Sequence, residues 1–143
     1  MRPDGGEGAA PAQDEGPRHE ARERALSLLY EAEMKRLDPA AVVDALPVAP
    51  DPFAARLVRG VGDRCPAIDE LVAGAAEGWE LERMPVLDRA VLRLATYELL
   101  AEPEVPVAVI IDEAVELAKQ YSTELSGGFV NGVLSTVARR VRG

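Results

Sequence analysis

The fold class is decided by residues 87–100, which read Leu87-Asp88-Arg89-Ala90-Val91-Leu92-Arg93-Leu94-Ala95-Thr96-Tyr97-Glu98-Leu99-Leu100. Leucine, valine and alanine recur there at helical spacing, but on nearly every side of the helix. A helix that is apolar almost all round must be contacted by neighbours on most sides. No alternating strand pattern of any length occurs in the chain. The sequence therefore predicts an all-α protein packed around this central helix.

Prolines mark where the other helices begin, because five of them open an apolar run at helical spacing: Pro39, Pro52, Pro66, Pro85 and Pro106. Proline suits the first helical turn, where its missing N–H would have no partner. Asp38 and Asp51 stand just before two of these prolines, as expected of N-caps. The spacing predicts seven helices, with ends placed to within about 2–4 residues, at 19–36, 39–46, 52–64, 66–78, 85–101, 106–121 and 126–141.

Residues 1–17 differ in composition from the rest of the chain. Glycine and proline fill seven of these positions, and no large aliphatic residue follows Met1. Such a segment cannot bury enough apolar surface to offset its ordering entropy, so we expect a disordered tail. A length of 143 residues suits one domain, which we place at residues 18–143.

The composition excludes several kinds of active site. One cysteine, Cys65, excludes an internal disulfide, and one histidine, His19, argues against a Ser-His-Asp triad or a multi-histidine metal site. The chain has no phosphate-binding glycine loop, Cys-x-x-Cys or His-Glu-x-x-His, so we expect no catalysis, metal or cofactor. No secretory signal and no run of about 18 apolar residues is present, so we expect a cytoplasmic protein without membrane contact.

Three carboxylates, Asp112, Glu113 and Glu116, lie close together on one predicted helix. Carboxylates one turn apart can bind a metal ion, but no histidine accompanies these three. We interpret them as a solvated acidic face.

The formal net charge of −9 argues, taken alone, against nucleic-acid binding. The charge is unevenly placed, since residues 18–36 carry five basic residues against four acidic ones. Arg18, His19, Arg22 and Arg24 open the first helix. Arginine binds phosphate through two hydrogen bonds and stacks on bases, so these residues are candidates for RNA binding. The alternative is a solvated helix end paired with neighbouring glutamates.

Glycine is unusually frequent in the last helix, at Gly127, Gly128 and Gly132. A glycine inside a helix costs about 0.8–1 kcal/mol relative to alanine. Gly132 is therefore expected where another element or a ligand approaches closely. If the neighbour is another helix, Phe129 belongs to the core.

Three segments of the chain carry a family likeness. They are the basic residues 21–32, the central residues 87–99, and residues 105–119 followed by Phe129-Val130-Asn131-Gly132-Val133-Leu134. The order and spacing of the last pair are highly specific. Over about residues 18–142, the chain resembles the NusB family of bacterial transcription antitermination factors.

The resemblance implies two small helical bundles and a function without catalysis. Members of the family bind the boxA RNA of ribosomal RNA operon leaders together with NusE, a ribosomal protein, and join RNA polymerase elongation complexes that resist termination. Tyr30, Glu82 and Asp88 fall where the family contacts NusE. The acidic middle of the chain fits such a basic partner. The family includes monomers and dimers, so a homodimer stays open.

The resemblance also implies an RNA-binding role for several residues. Arg18, Arg22 and Arg24 match the arginine-rich start of the family, while Tyr121 and Phe129 fall near the RNA path. The residues just before Phe129 depart from the family pattern, because small or apolar side chains replace polar or basic ones there.

Two other interpretations stay open. Some RNA cytosine methyltransferases carry a NusB-like domain, but this sequence contains no glycine-rich cofactor-binding unit, so we expect a freestanding factor. The other alternative is a NusB-like helical adaptor that binds protein or RNA without boxA specificity.

Overall fold

The protein is described by a computed structural model over residues 17–143, and these residues form seven α-helices. The helices are α1 (Pro17–Lys35), α2 (Pro39–Asp44), α3 (Pro52–Asp63), α4 (Cys65–Ala75), α5 (Val86–Ala101), α6 (Val107–Tyr121) and α7 (Ser126–Arg142), with a short 3₁₀ turn at Leu81–Arg83. The predicted all-α fold with seven helices is confirmed. Of the tail expected at residues 1–17, all but Pro17 lies outside the described residues.

The predicted caps at Asp38 and Asp51 are confirmed. The carboxylate of Asp38 accepts a hydrogen bond from the backbone N–H of Ala40 at 3.2 Å. The carboxylate of Asp51 accepts two, from Phe53 at 2.8 Å and Ala54 at 3.3 Å. Each cap satisfies donors that the first helical turn leaves without partners.

Helix ends differ from the predictions by one to three residues. Pro85 and Pro106 stand in extended conformation just before α5 and α6, so each helix starts one residue later than expected. The fourth helix ends at Ala75 rather than at residue 78. The reason is a turn at Gly78, whose φ of +83° lies in the left-handed region that favours glycine.

The helices form two small bundles, and α5 of the second bundle also packs against the first. The first bundle contains α1, α2 and α3, and the second contains α4, α5, α6 and α7. Helix α5 packs against α1, α3, α4, α6 and α7. Nearly all of its residues from Asp88 to Leu99 are buried, which confirms the central helix that the sequence predicts.

Two helices approach closely at Gly60 of α3, where a Cβ atom would overlap the ring of Tyr97 on α5. The expectation of a close approach at Gly132 is wrong. A Cβ atom at Gly132 would meet nothing within 4 Å, because this residue faces away from the bundle. Helical propensity shows that a glycine is unfavourable but not which side of the helix it occupies.

Charged side chains fasten the helices to one another. Arg93 of α5 binds Asp69 of α4 at 2.8 Å and Glu33 of α1 at 3.3 Å. Arg142 of α7 donates hydrogen bonds of 2.7–3.0 Å to four carbonyl oxygens at the end of α5 and in the loop that follows, on Glu98, Leu99, Glu102 and Val105. The guanidinium thus supplies a donor to the carbonyl of Leu99, whose i+4 residue is Pro103, and adds a second donor to the carbonyls of Glu98 and Glu102, which already accept from the backbone.

Candidate functional site

Three arginines lie over the ring of Phe53 at the start of α3, and the buried one, Arg22, is 5.6 Å from its centroid. The guanidinium carbon of Arg18 lies 4.3 Å from the ring centroid of Phe53, and that of Arg56 on α3 lies 5.0 Å from it. Arg56 also holds Glu102 through hydrogen bonds of 2.8 and 3.1 Å, yet its side chain stays 49% exposed. Arg24 is exposed on α1. We name Arg18, Arg24 and Arg56 the arginine surface.

Arg56 did not enter the sequence prediction. Its position three residues after Phe53 places both on one side of the first turn of α3, which is the signal that could have indicated the pair. The alignment of α3 beside α1 is a tertiary feature, so the spacing alone does not bring Arg56 next to Arg18.

Arg22 lies in the interior rather than on the surface. Its side chain is 1% exposed, and its Nε and Nη2 atoms each donate a 2.9 Å hydrogen bond to the carboxylate of Glu98 on α5. Burial raises the pKa of Glu98, and the pairing with Arg22 opposes that effect. Arg22 therefore links α1 to α5, and we leave it out of the arginine surface.

His19 is held between two carboxylates. Its Nδ1 atom lies 2.9 Å from Glu113 on α6, and its Nε2 atom lies 3.6 Å from Glu23. The hydrogen bond to Glu113 is the main cause that raises the pKa of His19 above 6.5. Glu113 is thus turned toward α1, whereas Asp112 and Glu116 are exposed as the solvated-face interpretation expects.

Tyr30 and Tyr121 come together at the surface, 41% and 43% exposed. They line a groove of about 370 Å³ with Glu23, Leu26, Ser27 and Leu87, which we name the tyrosine groove. The hydroxyl of Tyr121 donates to Glu23 at 2.8 Å, and this bond raises the pKa of Tyr121. The structure therefore joins a residue predicted to bind RNA with one predicted to bind a partner.

Phe129 packs against Trp79, with ring centroids 5.7 Å apart and planes tilted by 60°. The two rings line a cleft of about 220 Å³ together with Pro85, Asp88, Thr123, Leu125 and Ser126, which we name the tryptophan cleft. Phe129 is half-buried, while Trp79 is 51% and Leu125 86% exposed. A Cβ atom on neighbouring Gly128 would meet nothing within 4 Å, so this side is open.

Asp88 is turned inward at the base of the tryptophan cleft. The residue is 4% exposed, and its Oδ1 atom accepts hydrogen bonds from Ser122 at 2.5 Å and Ser126 at 2.7 Å. These bonds hold the connection between α6 and α7 against the start of α5. The sequence expectation of a partner contact at Asp88 therefore meets a side chain whose carboxylate is engaged within the chain.

Glu82 is exposed in the 3₁₀ turn before α5. It borders a shallow depression of about 450 Å³ that also contains Glu33, Asp69, Arg89 and Arg93. Of the residues predicted to contact a partner, Tyr30 and Glu82 are therefore accessible, on the two sides of the first turn of α5.

Residues 17–143 show no cluster of three or more His, Cys, Asp or Glu side chains placed to hold a metal ion. The thiol of Cys65 lies 3.7 Å from Asp69, and burial raises its pKa. No helix in the same range is long and apolar enough to cross a membrane.

Comparisons with known proteins agree on one family. The sequence model of the NusB family matches residues 19–139. A structure of T. maritima NusB is 39% identical, with a TM-score of 0.81 over 90% of this chain and 94% of that one. A structure of the antitermination factors NusB and NusE in complex with dsRNA is 26% identical, with a TM-score of 0.74 over 86% of this chain and 96% of that one.

A third match comes from a structure described as a plectonemic RNA supercoil. It is 27% identical, with a TM-score of 0.73 over 86% of this chain and 94% of that one. The family model and the identity to T. maritima NusB extend over nearly all of the described residues. Together with the seven helices around a buried α5, they establish that the chain belongs to the NusB family.

Proposed function

We propose that this chain is a transcription antitermination factor. It binds the boxA element of ribosomal RNA operon transcripts together with NusE, joins the RNA polymerase elongation complex and promotes processive rRNA transcription. It acts in the cytoplasm by binding alone, without catalysis or a cofactor. The observation that carries the proposal is the similarity to a NusB that is bound to NusE and dsRNA.

The arginine surface supports the RNA half of the proposal. Arg18 and Arg56 are held on the ring of Phe53, so part of their side-chain freedom is already lost before RNA binds. Arg24 adds a third guanidinium, which is exposed, on the same helix as the half-buried Arg18. Guanidinium groups pair with phosphate and stack on bases, and His19 at the same helix end is protonated more readily than a free histidine.

The tyrosine groove supports the part of the proposal that concerns NusE binding. Tyr30 offers an amphipathic side chain beside Leu26 and Leu87, and Glu82 adds a carboxylate on the other side of the first turn of α5. Tyrosine is common among residues that dominate binding energy, and carboxylates steer a basic protein to its site. We assign Tyr121 to this surface as well, because it lines the same groove.

The test measures boxA binding by fluorescence anisotropy, with and without purified NusE and with a scrambled RNA as the specificity control. We expect boxA to bind more tightly than the scrambled RNA, and more tightly still when NusE is added. Equal affinity for both RNAs in the presence of NusE would favour the adaptor alternative. Light scattering of the same sample gives the molecular mass and decides whether a homodimer forms.

Substitutions in the arginine surface and in the tyrosine groove test RNA binding and NusE binding separately. Arg18→Ala with Arg24→Ala should weaken boxA binding and reduce its salt dependence by roughly one slope unit per lost phosphate contact. Arg83→Ala is the matched control, because Arg83 is 79% exposed and already pairs with Glu80. Tyr30→Ala should weaken NusE binding and leave the RNA affinity of the chain alone unchanged.

A further inference from the structure

Exposed apolar side chains gather on one side of the protein. Among residues 17–143, seven large apolar side chains are exposed, and four of them line either the tyrosine groove or the tryptophan cleft. These four are Tyr30, Tyr121, Trp79 and Leu125. Single exposed apolar residues are ordinary, but a contiguous group marks an interaction site.

The tyrosine groove and the tryptophan cleft adjoin at the first turn of α5. Leu87 lines the tyrosine groove, while Pro85 and Asp88 line the tryptophan cleft. On the α6 side, Tyr121 borders the first groove, and Thr123 and Leu125 border the second. One partner segment that crosses the start of α5 therefore contacts both.

The charge around the tryptophan cleft is negative. The segments that border it, residues 77–81 and 121–129, carry three carboxylates and no basic residue. The carboxylates are Glu77, Glu80 and Glu124. Such a rim repels phosphate and attracts a basic protein.

The cleft is also built to keep its shape. The indole of Trp79 packs on the ring of Phe129, and a 3.0 Å hydrogen bond from its backbone N–H to the carbonyl of Ala76 holds the main chain that carries it. The bonds from Ser122 and Ser126 to Asp88 fix the loop that carries Leu125. A rigid aromatic side chain loses little entropy on binding, which is why tryptophan is frequent among residues that dominate interface energy.

We propose that Trp79 and Leu125 form a second anchor site for NusE, in which the tryptophan cleft receives an apolar side chain of a basic NusE segment that also covers the tyrosine groove. The inference rests on the proposed function and adds two residues to the partner surface.

The first experiment measures NusE affinity by calorimetry without RNA, and boxA affinity of the chain without NusE. Trp79→Ala should weaken NusE binding about tenfold or more, with boxA affinity of the chain alone within about twofold of wild type. Leu125→Ser should also weaken NusE binding. Because Leu125 is 86% exposed, this variant tests the cleft even if Trp79→Ala does not fold. Val48→Ser is the matched control, because Val48 is an exposed apolar residue outside both grooves, 78% exposed.

The second experiment uses charge to identify the occupant. Leu125→Lys and Leu125→Glu both remove the apolar side chain, so both should weaken NusE binding. Lysine should weaken it more, because it repels a basic segment. If the cleft instead stacks an RNA base, lysine should strengthen boxA binding of the chain alone and glutamate should weaken it, and that result overturns the proposal.

The outcomes separate this inference from the function it rests on. Wild-type chain that binds neither NusE nor boxA overturns the proposed function, and the anchor site with it. Wild-type chain that binds NusE with an affinity unaffected by Trp79→Ala and Leu125→Ser overturns the anchor site alone. A loss of NusE affinity in both variants, with the Val48→Ser control unchanged, supports it.

Discussion

Two regions of this protein reverse the usual distribution of residue types. Between α1 and α5, the charged side chains of Arg22 and Glu98 are almost completely buried, 1% and 2% exposed. Around the first turn of α5, the apolar side chains of Trp79 and Leu125 are half or more exposed. Buried charges are kept where they find each other, and exposed aromatics are kept where a partner covers them. The first region holds the bundles together, and the second is left for binding.

The largest expected effect comes from breaking the buried pair. Arg22→Ala leaves the carboxylate of Glu98 buried without its main partner, which should destabilise the fold by about 3–5 kcal/mol. Urea unfolding measures the change. Arg24→Ala, two residues along the same helix but exposed, should stay within about 0.5 kcal/mol of wild type.

A double variant sharpens this result. Replacing both partners, Arg22→Met with Glu98→Leu, should recover much of the lost stability, because an apolar pair of similar volume needs no charge compensation. Arg22→Ala and Arg24→Ala with equal stability would show that the buried pair does not hold α1 to α5.

The next effect compares an interior glycine with a surface one. Gly60→Ala forces a methyl group into the ring of Tyr97, which should cost about 1–3 kcal/mol. Gly132→Ala meets open space and should stabilise the helix by about 0.5–1 kcal/mol. Thermal melting of the two variants should give shifts of opposite sign, and shifts of the same sign would contradict the assigned environments.

A smaller effect is expected at the end of the chain. Arg142→Ala removes its hydrogen bonds to four carbonyls at the end of α5 and in the loop that follows. It should cost about 1–2 kcal/mol, because two of these carbonyls keep a backbone donor. Arg139→Ala is the control, since Arg139 is exposed and bonds only the hydroxyl of Thr136 among the contacts seen. Equal melting temperatures would show that Arg142 is not needed as a cap.

The smallest effect is a pH dependence at the edge of the buried region. The pKa of His19 is raised by its hydrogen bond to Glu113, so the folded state holds the proton more tightly than the unfolded chain. The resulting stability is fully present below about pH 6.5 and is lost as pH rises through the folded-state pKa. Melting temperature should fall from pH 6 to pH 8 more in wild type than in His19→Gln.

The chain offers a direct check of that assignment. Because it contains one histidine, a single imidazole signal in an NMR titration belongs to His19. A midpoint at or below 6.5 would contradict the hydrogen bond to Glu113.

Much of the fold could be predicted because local rules act within a few residues. Asp51 caps α3 through its own next two residues, and Pro52 begins that helix because a proline there has no donor to satisfy. The central position of α5 followed from apolar residues on all sides. The end of α4 at Ala75 was missed by three residues, because the left-handed turn at Gly78 was not anticipated.

The candidate site was predicted less completely. The sequence does not distinguish Arg22 from Arg24, but the structure buries Arg22 and exposes Arg24. The sequence predicts that Asp88 is a surface carboxylate. In the structure it is buried and accepts hydrogen bonds from Ser122, just after α6, and Ser126, the first residue of α7. In each case the deciding partner lies more than thirty residues away, where spacing along one helix gives no information.

The sequence by itself determined the seven helices, the central place of α5, the family and the kinds of residue available for binding. Only the tertiary structure decided which arginines reach the surface, that Arg56 joins Arg18, and that Tyr121 lines one groove with Tyr30. The physical reason is that helix formation depends on neighbours three or four residues apart, whereas burial and surface grouping depend on which helices pack together.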